Sequence, residues 1–306
     1  SKWFSNRPAM YGGADQGVAT MPKLHITPSG QACGATVEGV DLAQPLDAPT
    51  IEAIREAWLQ HHVLAFPQQQ LSDPDLVRIT RYFGELGDDP YFVPISDDNP
   101  VVALTRRADE QAPVFAESWH SDWSFKTHPP IGTCLYSLVV PPVGGDTSFA
   151  NQQLAVARMP AELRARLDGK IALHSAAAAY GPDGTYGTKD QGSDRTMQIL
   201  YSEAALETER HAIINAHPES GAETLFSTVG YICAIEGMEQ DQAQQLILDL
   251  YAWQIREEFQ YTHKWQPNMF VMWDNRSVLH KANGGYDGYA RDLHRTTIAG
   301  NAQLSL

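Results

Sequence analysis

The feature that most constrains the fold is a series of short, strand-like stretches in the middle and last parts of the chain, each ended by proline or glycine. "PVVALTR", "GTCLYSLVVP" and "GDTSFA" are separated by turn sequences such as "PPVGGD", and this alternation predicts strands joined by turns. Later, "EFQYTHKW" alternates bulky side chains, "MFVMWDN" is almost wholly apolar, and "HRTTIAG" resumes the pattern. Many short strands with a few helices at one flank predict a mainly β chain of class α+β, with a jelly-roll-like sandwich core.

The N-terminal part mixes strands and helices. Residues 35–42 have the apolar alternation of a short strand, and residues 63–67 read as a short buried strand. Helical spacing of apolar residues predicts a helix over 49–62, with Thr50 as its N-cap, and a second helix over 72–84.

Three further segments interrupt the strands. Residues 160–169 and 239–253 have helical patterns, and 217–221 reads as a hairpin turn. Residues 181–195 are rich in Gly, Asp, Ser and Thr and too long for an ordinary connection. Composition leaves two interpretations of that segment open, a functional lid or a disordered insert.

Charge and cysteine content narrow the possible partners and compartment. The formal net charge is -15 and the pI about 5.0, which disfavours a nucleic-acid partner because phosphate binding needs a basic face. The 3 cysteines are far apart and show no metal-binding spacing, so a reducing cytoplasm fits best. No apolar run approaches a membrane span. We expect a polar leader over 1–23, followed by one domain over 24–306.

The motif "ESWHSDWSF" places His120 and Asp122 two residues apart. On a strand both side chains would project from one face and could chelate a metal ion. His-x-acid is a weak signal alone, and a hydrogen-bonded strand pair is the competing interpretation. A second match, His217 and Glu219, is better explained as a turn because Pro218 lies between them.

Downstream residues strengthen the metal interpretation. His280 follows a buried strand, and Arg291 and Arg295 come soon after it at a spacing that shares one strand face. Buried guanidinium groups need charged partners. Two imidazoles and one carboxylate leave three metal positions open, which suits ferrous iron in oxygenases, although zinc could use the same ligands for hydrolysis.

Four motifs in the order "WHSDWSF", "PPVGGDTSF", "WDNRSVLH" and "ARDLHRTT" resemble the TauD/TfdA group of iron(II)- and 2-oxoglutarate-dependent dioxygenases. The resemblance covers about residues 24–300 and implies a double-stranded β-helix (jelly-roll) core. It implies that Fe(II) is bound by His120, Asp122 and His280, which are then the metal and catalytic residues. It further implies that Thr147 and Arg291 hold the distal carboxylate of 2-oxoglutarate, and that O2 is the other co-substrate.

The resemblance also implies where the substrate binds. Arg295 matches an arginine near the acidic group of the substrate, and leaving a buried arginine unpaired would cost roughly 2–5 kcal/mol. Tyr91, Phe92 and Tyr231 lie in regions that line or cover the pocket, as does the segment 181–195. We therefore expect a small anionic organic substrate, such as a sulfonate, sulfate ester or aryloxyalkanoate.

The expected reaction is hydroxylation, which cleaves the product where the carbon bears a heteroatom, with release of succinate and CO2. Two alternatives remain open from the sequence: a zinc hydrolase, and an inert β-helix protein that uses the pocket for binding. Family members are commonly dimers or tetramers, so we expect a homo-oligomer.

Overall fold

From residue 35 onward the N-terminal elements form in the order that the sequence predicts, and one further strand that was not predicted precedes them. The computed structural model describes residues 23–301, so residues 1–22 of the predicted leader and residues 302–306 lie outside the described residues. The first elements are β1 (His25–Pro28), β2 (Ala35–Glu38), α1 (Ala48–His61), β3 (Val63–Phe66) and α2 (Asp73–Arg81).

The two N-terminal helices begin with different caps. The N-cap of α1 is Asp47, whose carboxylate accepts the backbone N–H of Thr50 at 2.9 Å. Thr50 was therefore the wrong prediction for the cap, because the aspartate already satisfies that N–H from the position preceding the helix. Helix α2 starts behind Ser72, which forms a reciprocal capping box with Asp75.

The rest of the described chain is rich in strands, with short helices between them. The predicted helices 160–169 and 239–253 correspond to α4 and α6, and the predicted turn 217–221 joins β9 to β10. None of the helices in residues 23–301 combines the length and hydropathy needed to cross a membrane. The remaining elements are β4 (Val102–Arg106), β5 (Gly132–Val139), β6 (Thr147–Asn151), α3 (Gln152–Ala157), α4 (Ala161–Leu167), β7 (Ile171–His174), α5 (Ala177–Tyr180), β8 (Glu209–Ala212), β9 (Ile214–Ala216), β10 (Glu223–Leu225), β11 (Ile232–Ile235), α6 (Gln240–Gln254), β12 (Gln260–His263), β13 (Phe270–Asp274), β14 (Val278–Ala282) and β15 (Arg291–Ile298).

Two sheets build the jelly-roll core. The larger has seven strands in the order β1-β2-β3-β13-β5-β15-β4, and the smaller has three in the order β12-β6-β14. Pairing is antiparallel except between β2 and β3. Residues from both sheets, including Phe149, Trp273, Val278 and Leu293, form one buried cluster, so the small sheet packs on one face of the large sheet.

Strand β13 is apolar on both faces because each face packs against a different buried cluster. Val271 and Trp273 point into the cluster between the sheets, whereas Phe270 and Met272 belong to a second cluster that includes Trp58 of α1. Side chains alternate between the two faces of a strand, and here both faces are covered. The helices therefore close one face of the large sheet and leave the other to the small sheet.

The segment 181–195 packs against the residues that precede the candidate metal motif. It contains one turn of 3-10 helix at Asp190–Gly192. Arg195 pairs with Asp190 at 3.0 Å, with only 6% and 10% of the two side chains exposed. The hydroxyl of Tyr186 accepts the backbone N–H of Ala116 at 3.0 Å. A role for this segment as a lid stays a prediction.

Candidate metal centre and substrate cavity

Backbone pairing brings the two candidate histidine ligands together. His280 lies on β14, and its backbone forms an isolated antiparallel bridge with His120, with N–H to carbonyl distances of 2.8 and 3.0 Å. The prediction that His120 and Asp122 lie on one strand was wrong. The chain turns directly after His120, and Trp123 adopts a φ of 50°, so Asp122 reaches the histidines from a turn.

The three side chains converge on one point. Oδ1 of Asp122 lies 3.4 Å from Nε2 of His120 and 3.4 Å from Nε2 of His280, and one donor atom from each residue lies within 4.8 Å of the others. Nδ1 of His120 is 2.8 Å from the carbonyl oxygen of Ser118, to which it donates its proton, leaving the Nε2 lone pair free. This donor set fits a ferrous ion on one face, with positions open for other ligands.

The protonation states suit a metal ion. Burial raises the pKa of Asp122, but Arg295 and His280 more than offset this effect and hold the pKa well below its ordinary value. Burial lowers the pKa of His280 to about 4, against an opposing effect of Asp122. At neutral pH the site therefore offers a carboxylate and a neutral imidazole, the forms that bind metals.

A chain of hydrogen bonds orients the Asp122 carboxylate. Its Oδ2 accepts a hydrogen bond from the Thr133 hydroxyl at 2.6 Å. The Asn275 side chain donates to Thr133 at 2.8 Å and accepts from the indole of Trp273 at 3.0 Å. Because Oδ2 is engaged in this way, Oδ1 is the oxygen that faces the two histidines.

Arg291 and Thr147 lie in the same cavity, and neither has an acidic partner in the described chain. Arg291 is on β15, and its guanidinium donates to the Gly145 carbonyl at 3.2 Å but makes no ion pair with any described residue. Burial lowers its pKa, with opposing effects from Tyr286 and Asp146. The indole of Trp265 donates to Oγ1 of Thr147 at 3.0 Å, which leaves the threonine proton free to donate. A partly buried arginine without an acidic partner and a hydroxyl that is free to donate, in one cavity, have the chemistry to bind a carboxylate.

Arg295 is also on β15, but its guanidinium is already paired within the chain. Nη2 lies 3.1 Å from Oδ1 of Asp89 and 3.2 Å from Oδ2 of Asp122. Burial alone would lower the pKa of Arg295, whereas the two carboxylates raise it above its ordinary value. Because Asp89 and Asp122 already satisfy the charge of Arg295, the burial of this arginine does not by itself require an anionic substrate.

The cavity around these residues has an aromatic wall. About 850 Å³ of empty space, including the open mouth, adjoins all three candidate ligands, Thr147 and both arginines of β15. Phe92 lines this space together with Phe115, Trp123 and Tyr180. Apolar walls with few polar groups are typical of small-molecule sites.

Tyr91 and Tyr231 lie one layer behind the wall. The Tyr91 ring stacks on Tyr180 at a centroid distance of 4.4 Å. The ring of Tyr231 is 6.4 Å from that of His120 and 5.1 Å from that of Phe125. Both tyrosines support residues that face the cavity, and their contact with a substrate stays a prediction.

Sequence reasoning missed several residues of this site. Asp89 follows a helix in the polar sequence "GELGDDP", which looks like an ordinary surface turn. Thr133 lies in an apolar strand, where a threonine reads as a strand-favouring residue. Asn275 was visible as part of "WDNRSVLH", but its partner Thr133 could be identified only from the fold.

The chain is similar to several known proteins. The family model described as "Taurine catabolism dioxygenase TauD, TfdA family" matches residues 25–297. An "Alpha-ketoglutarate-dependent sulfate ester dioxygenase" of Pseudomonas putida is 30% identical over 94% of this chain and 95% of its own length. An "(S)-phenoxypropionate/alpha-ketoglutarate-dioxygenase" of Delftia acidovorans is 29% identical over 92% of this chain and 96% of its own. The crystal structure of a taurine dioxygenase from Burkholderia xenovorans superposes with a TM-score of 0.75 at 28% identity, covering 92% of this chain and 91% of that one.

Proposed function

The chain belongs to the TauD, TfdA family of dioxygenases, and from this we propose that it hydroxylates a small organic anion. It is an Fe(II)- and 2-oxoglutarate-dependent dioxygenase, as its relatives are. We assign the iron ligands to His120, Asp122 and His280. The observation that supports this assignment best is the convergence of their three donor atoms within 4.8 Å at the wall of the cavity.

We assign the 2-oxoglutarate site to Arg291 and Thr147. Arg291 would pair with the distal carboxylate of 2-oxoglutarate and the Thr147 hydroxyl would donate to it, which gives the partly buried arginine a charged partner. A hydrolase would have no use for a second carboxylate site beside the metal, and the relatives give the zinc hydrolase alternative no support.

The bound groups and the surrounding residues would each contribute a separate part of the hydroxylation. Bound iron supplies the activation of dioxygen, with 2-oxoglutarate oxidised to succinate and CO2. Thr133 and Arg295 hold Oδ2 of Asp122 so that Oδ1 faces the metal position. The aromatic wall excludes water and brings an apolar part of the substrate next to that position.

The relatives and the cavity support the proposed substrate class. The two relatives named above are described as acting on sulfate esters and on phenoxypropionate, which both join an anionic group to an organic skeleton. The cavity here combines the aromatic wall with an arginine, Arg295, at its surface. Where hydroxylation occurs on a carbon bound to an ester or ether oxygen, the product breaks at that bond.

We also propose a cytoplasmic location and a homo-oligomeric state. Cys33, Cys134 and Cys233 are all free thiols in the structure, which suits a reducing compartment. Light scattering on the purified chain would test the oligomeric state, and a monomer at micromolar concentration would contradict it.

Anaerobic titration tests the function directly. Iron(II) and then 2-oxoglutarate are added to the metal-free protein, and the weak visible charge-transfer band of the chelate is followed. Sulfonates, sulfate esters and aryloxyacids are then added, and those that shift the band are offered with dioxygen while succinate is measured. Absence of the band would remove the dioxygenase assignment. A band that no anion perturbs would remove the proposed substrate class.

A further inference from the structure

Asp89 forms an ion pair with Arg295, the arginine that faces the substrate cavity. A single carboxylate oxygen, Oδ1, accepts from Nε of Arg295 at 3.2 Å, from Nη2 of the same residue at 3.1 Å, and from the hydroxyl of Thr297 at 3.0 Å. The indole of Trp123 donates to the same oxygen at 2.7 Å. The side chains of Asp89 and Arg295 are 7% and 5% exposed, so little water screens their interaction.

The pairing leaves one nitrogen of Arg295 for a ligand. Nε and Nη2 are engaged by Asp89, and Nη2 also by Asp122. Nη1 makes no hydrogen bond with any residue in 23–301. The rings of Phe92 and Trp123 flank the guanidinium at 5.3 and 5.5 Å. A substrate anion can therefore contact this arginine end-on at Nη1, and the bidentate geometry that a guanidinium usually offers is already occupied.

The charges around Arg295 oppose an incoming anion. One guanidinium faces two carboxylates, Asp89 and Asp122, and Asp122 also faces the metal position. The negative charge of Asp89 is not shared with a metal, so it acts directly against an anionic substrate group. Like charges brought together in a buried site cost several kcal/mol in affinity.

We propose that Asp89 is a specificity-determining residue that limits how tightly the cavity holds the anionic group of its substrate. This inference rests on the proposed function and deepens it, because it names the residue that sets the balance between anionic and neutral ligands. In this arrangement the aromatic wall provides most of the substrate affinity, and the arginine adds a single charged contact.

A charge-removing variant with a neighbouring control tests the proposal. Asp89→Asn keeps an oxygen that can accept from Trp123 and Thr297 but removes the negative charge. Asp88→Asn removes the same charge from an exposed residue whose partner is Lys126. Phenoxyacetate and its neutral analogue phenoxyacetamide are titrated into each protein. Binding is measured by calorimetry on the metal-free protein and by perturbation of the anaerobic iron(II)–2-oxoglutarate band.

Asp89→Asn is expected to bind phenoxyacetate at least about tenfold more tightly than the unmodified protein, since about 1.4 kcal/mol corresponds to tenfold. Phenoxyacetamide should bind both proteins alike, and Asp88→Asn should change neither affinity. Unchanged or weaker phenoxyacetate binding by Asp89→Asn would overturn the proposal, and Asp89 would then only position Arg295. In the double variant Asp89→Asn, Arg295→Gln the gain should disappear, because it depends on the guanidinium.

The outcomes separate this inference from the proposed function. Anion binding by Asp89→Asn but not by the unmodified protein would support the role of Asp89 and contradict an anionic substrate. Anion binding by neither would overturn both proposals. The unmodified protein provides a test that needs no variant: it should prefer phenoxyacetate over phenoxyacetamide by less than about tenfold. A preference of about a hundredfold or more would contradict the proposal.

Discussion

At the scale of single residues, the site depends on which oxygen of one carboxylate faces the metal position. Oδ1 of Asp122 lies at 3.4 Å from both histidine nitrogens, and Oδ2 is held by Thr133 and Arg295. Thr133 reaches Asp122 from β5 and Arg295 reaches it from β15, two strands of the large sheet. Changes at Asp122 and at Thr133 should therefore affect the metal to different degrees.

Replacing Asp122 by Ala should abolish stable iron binding and substrate-coupled succinate formation. The change removes one of the three proposed ligands and also leaves the buried Arg295 with Asp89 alone. Equilibrium dialysis with iron(II) and a succinate assay measure the two effects. Full activity of this variant would remove Asp122 from the iron site.

Replacing Thr133 by Val should weaken iron(II) binding by about 10–100-fold while the protein stays folded, which is the usual effect of losing a group that orients a ligand. The variant keeps all three ligands but frees Oδ2 of Asp122 from its hydroxyl donor. Thr80→Val is the matched control, because Thr80 is equally buried and its hydroxyl bonds to Leu76 and Thr296. Equal iron affinity in the two variants would show that Thr133 does not orient the ligand.

At the scale of elements, strand β15 presents two arginines to one cavity in different electrostatic states. Arg291 has no acidic partner in the described chain, whereas Arg295 has two. Sequence spacing predicted their common face, because residues four apart on a strand point the same way. It could not predict the difference, since Asp89 lies in a distant loop with no periodic pattern.

Replacing Arg291 by Gln should raise the dissociation constant and the KM for 2-oxoglutarate by at least about thirtyfold, because truncating one member of a buried charge pair costs about 2–5 kcal/mol. The fold should tolerate the change, since no internal ion pair is broken. Arg210→Gln, on β8 at the exposed pair with Glu236, removes the same charge elsewhere. A KM for 2-oxoglutarate equal to that control would contradict the assignment of Arg291.

The elements that the sequence predicted are those that depend on local patterns and not on contacts with distant residues. Strands β3, β5, β6, β13 and β15 and helices α1, α2, α4 and α6 follow local apolar patterns, and each was predicted near its observed place. The motif 117–125 was predicted as a strand and contains a turn, because its conformation is set by the distant partner His280 and by Trp123 at positive φ. Local patterns predict elements, whereas the site depends on contacts between residues far apart in the chain.

At the scale of the whole molecule, several buried histidines link stability to pH. Burial lowers the pKa of His62 to about 4, and Ser277 hydrogen-bonds to its ring at 2.9 Å. Burial has the same effect on His263, whose pKa is about 4. Below the ordinary pKa of 6.5, the unfolded chain binds protons that the folded chain does not bind until about pH 4. Stability should therefore fall as the pH falls through this window.

Replacing His62 by Asn removes one proton that the unfolded chain binds and the folded chain does not. The free energy of unfolding should then change less steeply between pH 6.5 and 4, by about 1.4 kcal/mol per pH unit. Asn tolerates the φ of 67° found at His62 and can still bond to Ser277. Urea unfolding of both metal-free proteins at several pH values gives the two slopes. Equal slopes would show that His62 is not the linked group, and the slopes above pH 7 serve as the internal control.

The isolated bridge between His120 and His280 also limits when the site can exist. These two proposed ligands are far apart in sequence and are joined by reciprocal backbone hydrogen bonds, with β14 held in the small sheet by β6. A chain emerging from the ribosome presents His120 and Asp122 long before His280, when they make a poor chelate. If iron is held by the three assigned ligands, it can be captured only after the chain has been synthesised through β14 and β14 has paired with β6, so metal loading would report this late step of folding.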